Sequence, residues 1–295
     1  MAGSSMRDIK RRIRSVTSIE HITNAMKLVS AAKLRRAKNT CEKLEENLHY
    51  IASNIDELCS REEELPLPYI VGGREIKRTC YIIVTANRGL AGSYNTNVFK
   101  TAEQMMAKDA SEGKEKPLLV CIGNKGLSHF SKRGYEIQSD YLNPPESISF
   151  ADTKEIAEPI LEIYDKEGID EIKIIYTVFV TTMEQHTQVD RLLPFEPKAG
   201  IDTEAKKHKK LLEFEPDAKE VFSYLVPKYA EIMMYRALIE AAACEHAARR
   251  MAMQNATDNA REMIDNLNLF YNRARQAAIT SEITEIVSGA DAVKS

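Results

Sequence analysis

Glycine and asparagine crowd residues 87–95, NRGLAGSYN, directly after an apolar β-rich run. That is a place where backbone N–H groups at a helix start can cradle a phosphate. A second glycine turn, Gly123-Asn124-Lys125-Gly126, follows the next such run. Neither completes a nucleotide fingerprint. There is no GxGxxG and no Gly-Lys-Ser/Thr ending, so the lysine and the magnesium-binding hydroxyl of a P-loop are missing. Both read as tight strand-to-helix turns. The cysteines, Cys41, Cys59, Cys80, Cys121 and Cys244, have no short paired spacing and read as buried thiols of a reducing compartment, not as a zinc or redox site. The histidines show no HExxH or similar spacing. No paired general acid and base, and no nucleophile with an evident partner, can be picked out, so the expectation is a chain with no catalytic residues, no cofactor and no metal.

The elements that would carry these turns alternate. Apolar runs at 79–86 (TCYIIVTA), 117–122 (PLLVCI) and 171–180 (EIKIIYTVFV) are separated by helical patterns near 97–110, 125–133 and 153–166. That alternation predicts a βαβαβ layer with a mostly parallel sheet. The joints fall at 61–78 and 194–216, the second containing a charged stretch at 206–210. With 43% hydrophobic and 29% charged residues the composition is that of a soluble protein without a disorder signature. No apolar run approaches a membrane span. The N-terminal MAGSSMRDIKRR has neither the apolar core of a secretion signal nor the pattern of a transit peptide, so the chain is expected to work where it is made.

Beyond this centre the sequence changes character. Neither the first sixty-odd nor the last sixty-odd residues contain proline, and glycine occurs there only at Gly3 and Gly289. Residues 4–65 and 228–288 therefore read as two long helices, each about 90 Å at ~1.5 Å per residue. Ile9, Ile13, Val16, Ile19, Ile22, Met26 and Val29, then Leu44, Leu48, Ile51, Ile55 and Leu58, space at threes and fours as a coiled-coil seam. Met263, Leu267, Phe270, Ala274 and Ala277 offer the partner face, and Ala241, Ala242, Ala243, Ala247, Ala248, Ala252 and Ala256 permit close approach. The expected fold class is α/β: a long antiparallel coiled coil of the terminal helices plus a central Rossmann-like βαβ domain. The expected division is 1–65, 66–215 and 216–295.

Charge is segregated although the net charge is only −3. Residues 7–43 carry eleven Lys or Arg against Asp8, Glu20 and Glu42, whereas 44–64 carry seven acidic residues against Arg61. The basic end suits an acidic partner, either a protein collar or nucleic acid. The aromatic interleaving that single-strand binding favours is absent.

Residues 22–35 (ITNAMKLVSAAKLR), 256–260 (ATDNA) and 275–290 (RQAAITSEITEIVSGA) closely resemble the γ subunit of F-type ATP synthases. The 87–95 loop resembles that family's central motif, usually written DRGLCGxxN. Matches at both termini and in the middle extend the resemblance over essentially the whole chain. It implies a central rotor shaft, its terminal helices inside a ring of α and β subunits and its α/β domain standing on the membrane c-ring beside the ε subunit. ATP chemistry would then occur in the β subunits, which supply the acidic partner, so the chain would be a non-catalytic subunit in single copy that meets the membrane only through the c-ring.

Carried over by motif, Met26 lies where the shaft passes the β collar, and Arg275, Gln276, Thr280 and Glu282 lie where the C-terminal helix contacts β loops. Phe214 and Glu215 match the foot that meets ε and the c-ring, although Leu212 stands where some relatives have tyrosine. The plant-type insertion with its regulatory cysteine pair is absent, which with the missing transit peptide implies a bacterial enzyme on the cytoplasmic face of the plasma membrane. The rival expectations are a nucleotide-binding α/β enzyme using the Gly89 to Gly92 turn and a coiled-coil nucleic-acid-binding module using the basic end.

Overall fold

A computed structural model describes residues 6–61, 69–71, 75–141, 148–166, 168–181, 184–196, 215 and 217–294. The chain divides into two compact units, one of Met1–Ser30 with Arg249–Ser295 and one of Ala31–Ala248.

The Ala31–Ala248 unit is built on a five-stranded sheet in the order β3-β2-β1-β4-β5. The strands are β1 (Thr79–Val84), β2 (Leu118–Ile122), β3 (Ile137–Tyr141), β4 (Glu171–Phe179) and β5 (Gln185–Leu193). β1 runs parallel to both neighbours, with Ile82 opposite Val120 on one side and Ile174 on the other. Only β5 is antiparallel. Every residue of β1 is buried, as a central strand covered on both faces requires. Successive side chains point to opposite faces. Cys80, Ile82 and Val84 face a core that includes Ile156, Ile160 and Tyr164 of α4 (Phe150–Asp165), whereas Tyr81 and Ile83 face Val98, Ala102 and Met106 of α2 (Tyr94–Ser111) and Phe130 of α3 (Asn124–Ser131). The α4 start is fixed by a capping box, in which Asp152 N–H donates to Ser149 Oγ and the Asp152 carboxylate accepts from Ser149 N–H.

The first core also takes Ile55 and Leu58 from α1 (Met6–Arg61) and Phe222, Val226, Ala230 and Met234 from α5 (Ala218–Lys294). The α5 helix starts ten residues ahead of the 228 expected from sequence and runs through Pro227. The missing proline N–H forfeits a ladder bond there, but Phe222, Val226 and Ala230 on either side are almost wholly buried and hold the turn by packing.

Two strands escaped the sequence reading. β3 (IQSDY) and β5 (QHTQVDRLL) are the outer strands, where solvent on one side permits polar residues and erases the continuous apolar run that marks β1, β2 and β4.

In the other unit α1 and α5 run antiparallel. Thr23 meets Thr257, and Glu20, a turn earlier on α1, meets Arg261, a turn later on α5. Less-exposed positions follow an alternating three-and-four spacing: Ile9, Ile13, Val16, Glu20, Thr23, Lys27 and Ser30 on α1, and Met253, Thr257, Ala260, Ile264, Leu267, Tyr271, Ala274 and Ala278 on α5. The expected seam is therefore corrected past Val16. Ile19, Ile22 and Val29 are 49%, 56% and 55% exposed, and Met263 and Phe270 also face out. A strict seven-residue repeat keeps its phase, so past Val16 the α1 side of the seam passes to Glu20, Thr23, Lys27 and Ser30 while Ile19, Ile22 and Val29 leave it. In the Ala31–Ala248 unit the same spacing continues through Leu34, Ala37, Cys41, Leu44, Leu48, Ile51, Ile55 and Leu58, with Leu34 packed on Ala243 and Ala247.

Candidate functional site

Side chains that could do chemistry near the glycine turns are held by the chain itself. Among the first four N–H groups of α3, Asn124 N donates to Asn87 Oδ1 at 3.0 Å, Lys125 N to Ala86 O at 3.1 Å, Gly126 N to Thr85 Oγ1 at 2.9 Å and Leu127 N to Gly123 O at 3.3 Å. A phosphate would find no donor left at that helix start. Gly123 makes the arrangement possible. Its φ is 100°, and a Cβ there would lie 2.2 Å from Thr85 O.

The crevice where strand order reverses, beyond the C-terminal ends of β1 and β4, is where doubly wound sheets take their ligands. Here Ala86, Ala91, Tyr94 and Phe179 close over Cys244, with Ala248 packed alongside, so the chain's own helix fills the place. Lys38 Nζ sits 4.7 Å from the centre of the Phe179 ring, adding a cation–π contact. Glu240 Oε1 accepts from Phe179 N–H at 3.2 Å, and burial pushes this carboxyl above its ordinary range while Arg236 pulls it back. The arrangement fastens α5 to the end of β4.

At the opposite end of the sheet lies a buried polar cluster. Asp109 accepts from the Tyr81 hydroxyl at 2.5 Å and from Lys114 Nζ at 2.7 Å. Burial works against its charge, but Lys114, Tyr81 and Lys173 outweigh burial and hold its carboxyl below the ordinary aspartate range. Glu171, 1% exposed, is held by Lys173 at 2.7 Å, Arg191 at 2.8 Å and the Thr79 hydroxyl at 3.1 Å. Each acid is matched by cations and hydroxyls, which is a structural network rather than an acid and base poised for work. Burial raises the buried thiol of Cys80 to about 12 and the half-buried thiols of Cys41 and Cys59 to about 11, so all three stay protonated at neutral pH. No group of three or more His, Cys, Asp or Glu side chains among the described residues could hold a metal ion.

The collar residues carried over from the family motif, Met26, Arg275, Gln276, Thr280 and Glu282, lie in the two-helix unit. Met26 is half-buried, one turn beyond Thr23. Arg275, Gln276, Thr280 and Glu282 lie on the last turns of α5, where every residue from Arg275 to Gly289 except Ala278 is exposed. Thr280 Oγ1 donates to Gln276 O at 2.9 Å, and Arg275, Gln276 and Glu282 are exposed. Around them Ile279, Ile283, Ile286 and Val287 are also exposed, and on α1 Ile19, Ile22, Leu28 and Val29 are exposed as well. Glu215 is exposed, and Phe214 lies outside the described residues.

Sequence reasoning missed the polar seam residues Glu20, Thr23 and Thr257, and Arg261, which reaches Glu20 from the seam's flank. The signal was present in the strict heptad spacing from Ile9, which reaches Glu20 and Thr23, but following hydrophobicity led to Ile19 and Ile22.

Residues 5–293 match the protein family described as ATP synthase. The chain is 44% identical to the ATP synthase gamma chain of Alkaliphilus metalliredigens over 99% of its own length and 100% of that protein. It is 40% identical to the sodium ion specific ATP synthase gamma chain of Acetobacterium woodii, covering 98% of this chain and 99% of that one. Among solved structures, a chain of the Euglena gracilis mitochondrial ATP synthase (OSCP/F1/c-ring, rotational state 3) has the same fold, with a TM-score of 0.68 at 18% identity over 98% of this chain and 94% of that chain. A chain of the Tetrahymena thermophila mitochondrial ATP synthase central stalk and c-ring aligns with a TM-score of 0.58 at 23% identity over 80% and 99%.

Proposed function

This chain belongs to the ATP synthase gamma chain family, and we infer from that membership that it is the central rotor shaft coupling ion-driven c-ring rotation to ATP synthesis or hydrolysis. The observation that carries the reading is the two-helix unit, which leaves many of its large apolar side chains uncovered. Glu20, Thr23 and Thr257 take seam positions, while Ile19, Ile22, Leu28 and Val29 on α1 and Ile279, Ile283, Ile286 and Val287 on α5 are exposed. Clusters of exposed large apolar side chains on a helix mark a protein interface. A ring of α and β subunits is the cover proposed for it. Met26, Arg275, Gln276, Thr280 and Glu282 are the proposed collar contacts, and Phe214 and Glu215 the proposed foot toward ε and the c-ring.

On this reading the chain carries no chemistry of its own. Catalysis belongs to the β subunits, and the shaft selects among their states because a contact made at one rotor angle and not at others lowers one state relative to the rest. The filled crevice, to which Ala91 and Tyr94 beside the Gly89 to Gly92 turn contribute, supports a non-catalytic role against the nucleotide-binding alternative. No helix among the described residues is long and apolar enough to cross a membrane. Attachment to the cytoplasmic face of a bacterial plasma membrane is accordingly proposed through the c-ring alone.

The test uses the complete complex in inverted membrane vesicles. Met26→Lys places an ammonium beside the acidic loops expected on β and favours some rotor angles over others, so ATP hydrolysis persists while ions pumped per ATP fall. A parental ratio of pumping to hydrolysis in this variant, or failure of the parental chain to copurify with α and β subunits, would overturn the assignment.

A further inference from the structure

The seam of the two-helix unit carries two polar contacts where apolar side chains would be expected, both within two turns of Met26. Thr257 is 0% exposed and Thr23 8%, and their hydroxyl oxygens are 2.8 Å apart. Each hydroxyl has one proton to give. Thr23 Oγ1 also lies 3.0 Å from Glu20 O, and Thr257 Oγ1 lies 2.7 Å from Met253 O. Two proton arrangements therefore satisfy the pair. Thr23 donates to its own helix while Thr257 donates across, or Thr257 donates to its own helix while Thr23 donates across. In either case one hydrogen bond spans the seam.

One turn away, Glu20 Oε1 accepts from Arg261 Nε at 3.0 Å and lies 2.9 Å from Arg261 Nη2. The glutamate is the buried member, its side chain 12% exposed against 55% for the arginine. The two contacts constrain more together than either does alone. Sliding one helix by a single residue means about 1.5 Å of rise and about 100° of rotation, which breaks both. Ala260, the seam residue beside them, is a small side chain that interlocks little with the facing helix. A single polar pair within a coiled-coil seam is a known physical means of setting register at some cost in stability.

Resting on the rotor reading, we propose that Thr23–Thr257 and Glu20–Arg261 form a register lock that fixes the axial and rotational alignment of α1 against α5. Met26 on one helix and Arg275 and Gln276 on the other then meet the collar as one rigid profile. The four are positioning residues: through their contacts across the seam they set the angle at which other side chains meet the collar.

Thr23→Val is close to isosteric and leaves the Thr257 proton its bond to Met253 O, so no buried donor is orphaned and the chain folds. The variant is combined with Arg261→Gln. Spin labels on non-native amino acids at positions 25 and 255, both exposed, report helix alignment in the free chain without any partner. One narrow distance is expected in the parental chain and a broadened or second distance in the double variant. In the complete complex, the same variant lowers ATP synthesis about threefold to tenfold while hydrolysis falls less, and Thr23→Ser with native Arg261 restores the parental ratio. An unchanged narrow distance, a parental ratio of synthesis to hydrolysis in the double variant, or failure of the serine variant to restore it overturns the lock. Failure of the parental chain to join α and β subunits would instead defeat the rotor reading, leaving the spin-label result to judge the lock alone.

Discussion

At the residue scale, the strongest commitments lie away from the proposed collar contacts. Asp109 has a side chain only 6% exposed and is held by Lys114 and the Tyr81 hydroxyl. Its carboxyl is depressed in the folded state, so the stabilisation it brings is complete above the ordinary aspartate value of about 3.9 and is lost as pH falls through the lower folded value. Asp109→Asn should cost about 2 kcal/mol at neutral pH, the scale of hydrogen bonds to a charged group. Urea melts of parent and variant from neutral pH downward check it: the gap holds to about pH 5 and narrows below about pH 4. A gap that widens on acidification would show that the carboxylate is not the stabilising form.

At the element scale, the two long helices differ from ordinary amphipathic helices in where their apolar residues point. Ile9 is 7% exposed and Ile22 56%, although both belong to the same apolar spacing in the sequence. Ile9→Ala should therefore destabilise the two-helix unit by about 2 kcal/mol or more, whereas Ile22→Ala should fall within about 0.5 kcal/mol in the free chain. Native-state hydrogen exchange of amides between Ile9 and Lys27 resolves the two cases. Equal effects would return the seam to the phase read from hydrophobicity. Once assembled with α and β subunits the order should reverse, because Ile22 then supplies interface area and Ile9 does not.

At the scale of the whole molecule, the two units are stabilised by different means. The sheet unit buries β1 completely between two helix layers, whereas the last turns of α5 bury almost nothing. Backbone amides of Cys80 to Val84 should exchange only through global unfolding, and those of Arg275 to Gly289 should exchange at least a hundredfold faster, a gap of ~3 kcal/mol in opening free energy. Addition of α and β subunits should slow the second set and leave the first unchanged. Protection of the α5 end in the free chain equal to that of β1 would contradict this account, since no described neighbour covers that stretch.

Local signals were enough for much of the molecule. The proline-free ends specified two long helices, the runs TCYIIVTA, PLLVCI and EIKIIYTVFV specified the buried strands, and the missing lysine and hydroxyl of a P-loop set the nucleotide reading aside. The motifs at 22–35, 87–95 and 275–290 were sufficient to identify the family. Tertiary structure alone decided that IQSDY and QHTQVDRLL are strands, because an outer strand needs a neighbour to pair with more than it needs apolar side chains. It also decided the seam. Hydrophobicity favours Ile19 and Ile22, yet they are 49% and 56% exposed. The structure places Glu20 and Thr23 there because Arg261 and Thr257 stand opposite to satisfy them, and a polar group matched across the seam is a fact about two helices at once that neither sequence segment contains by itself.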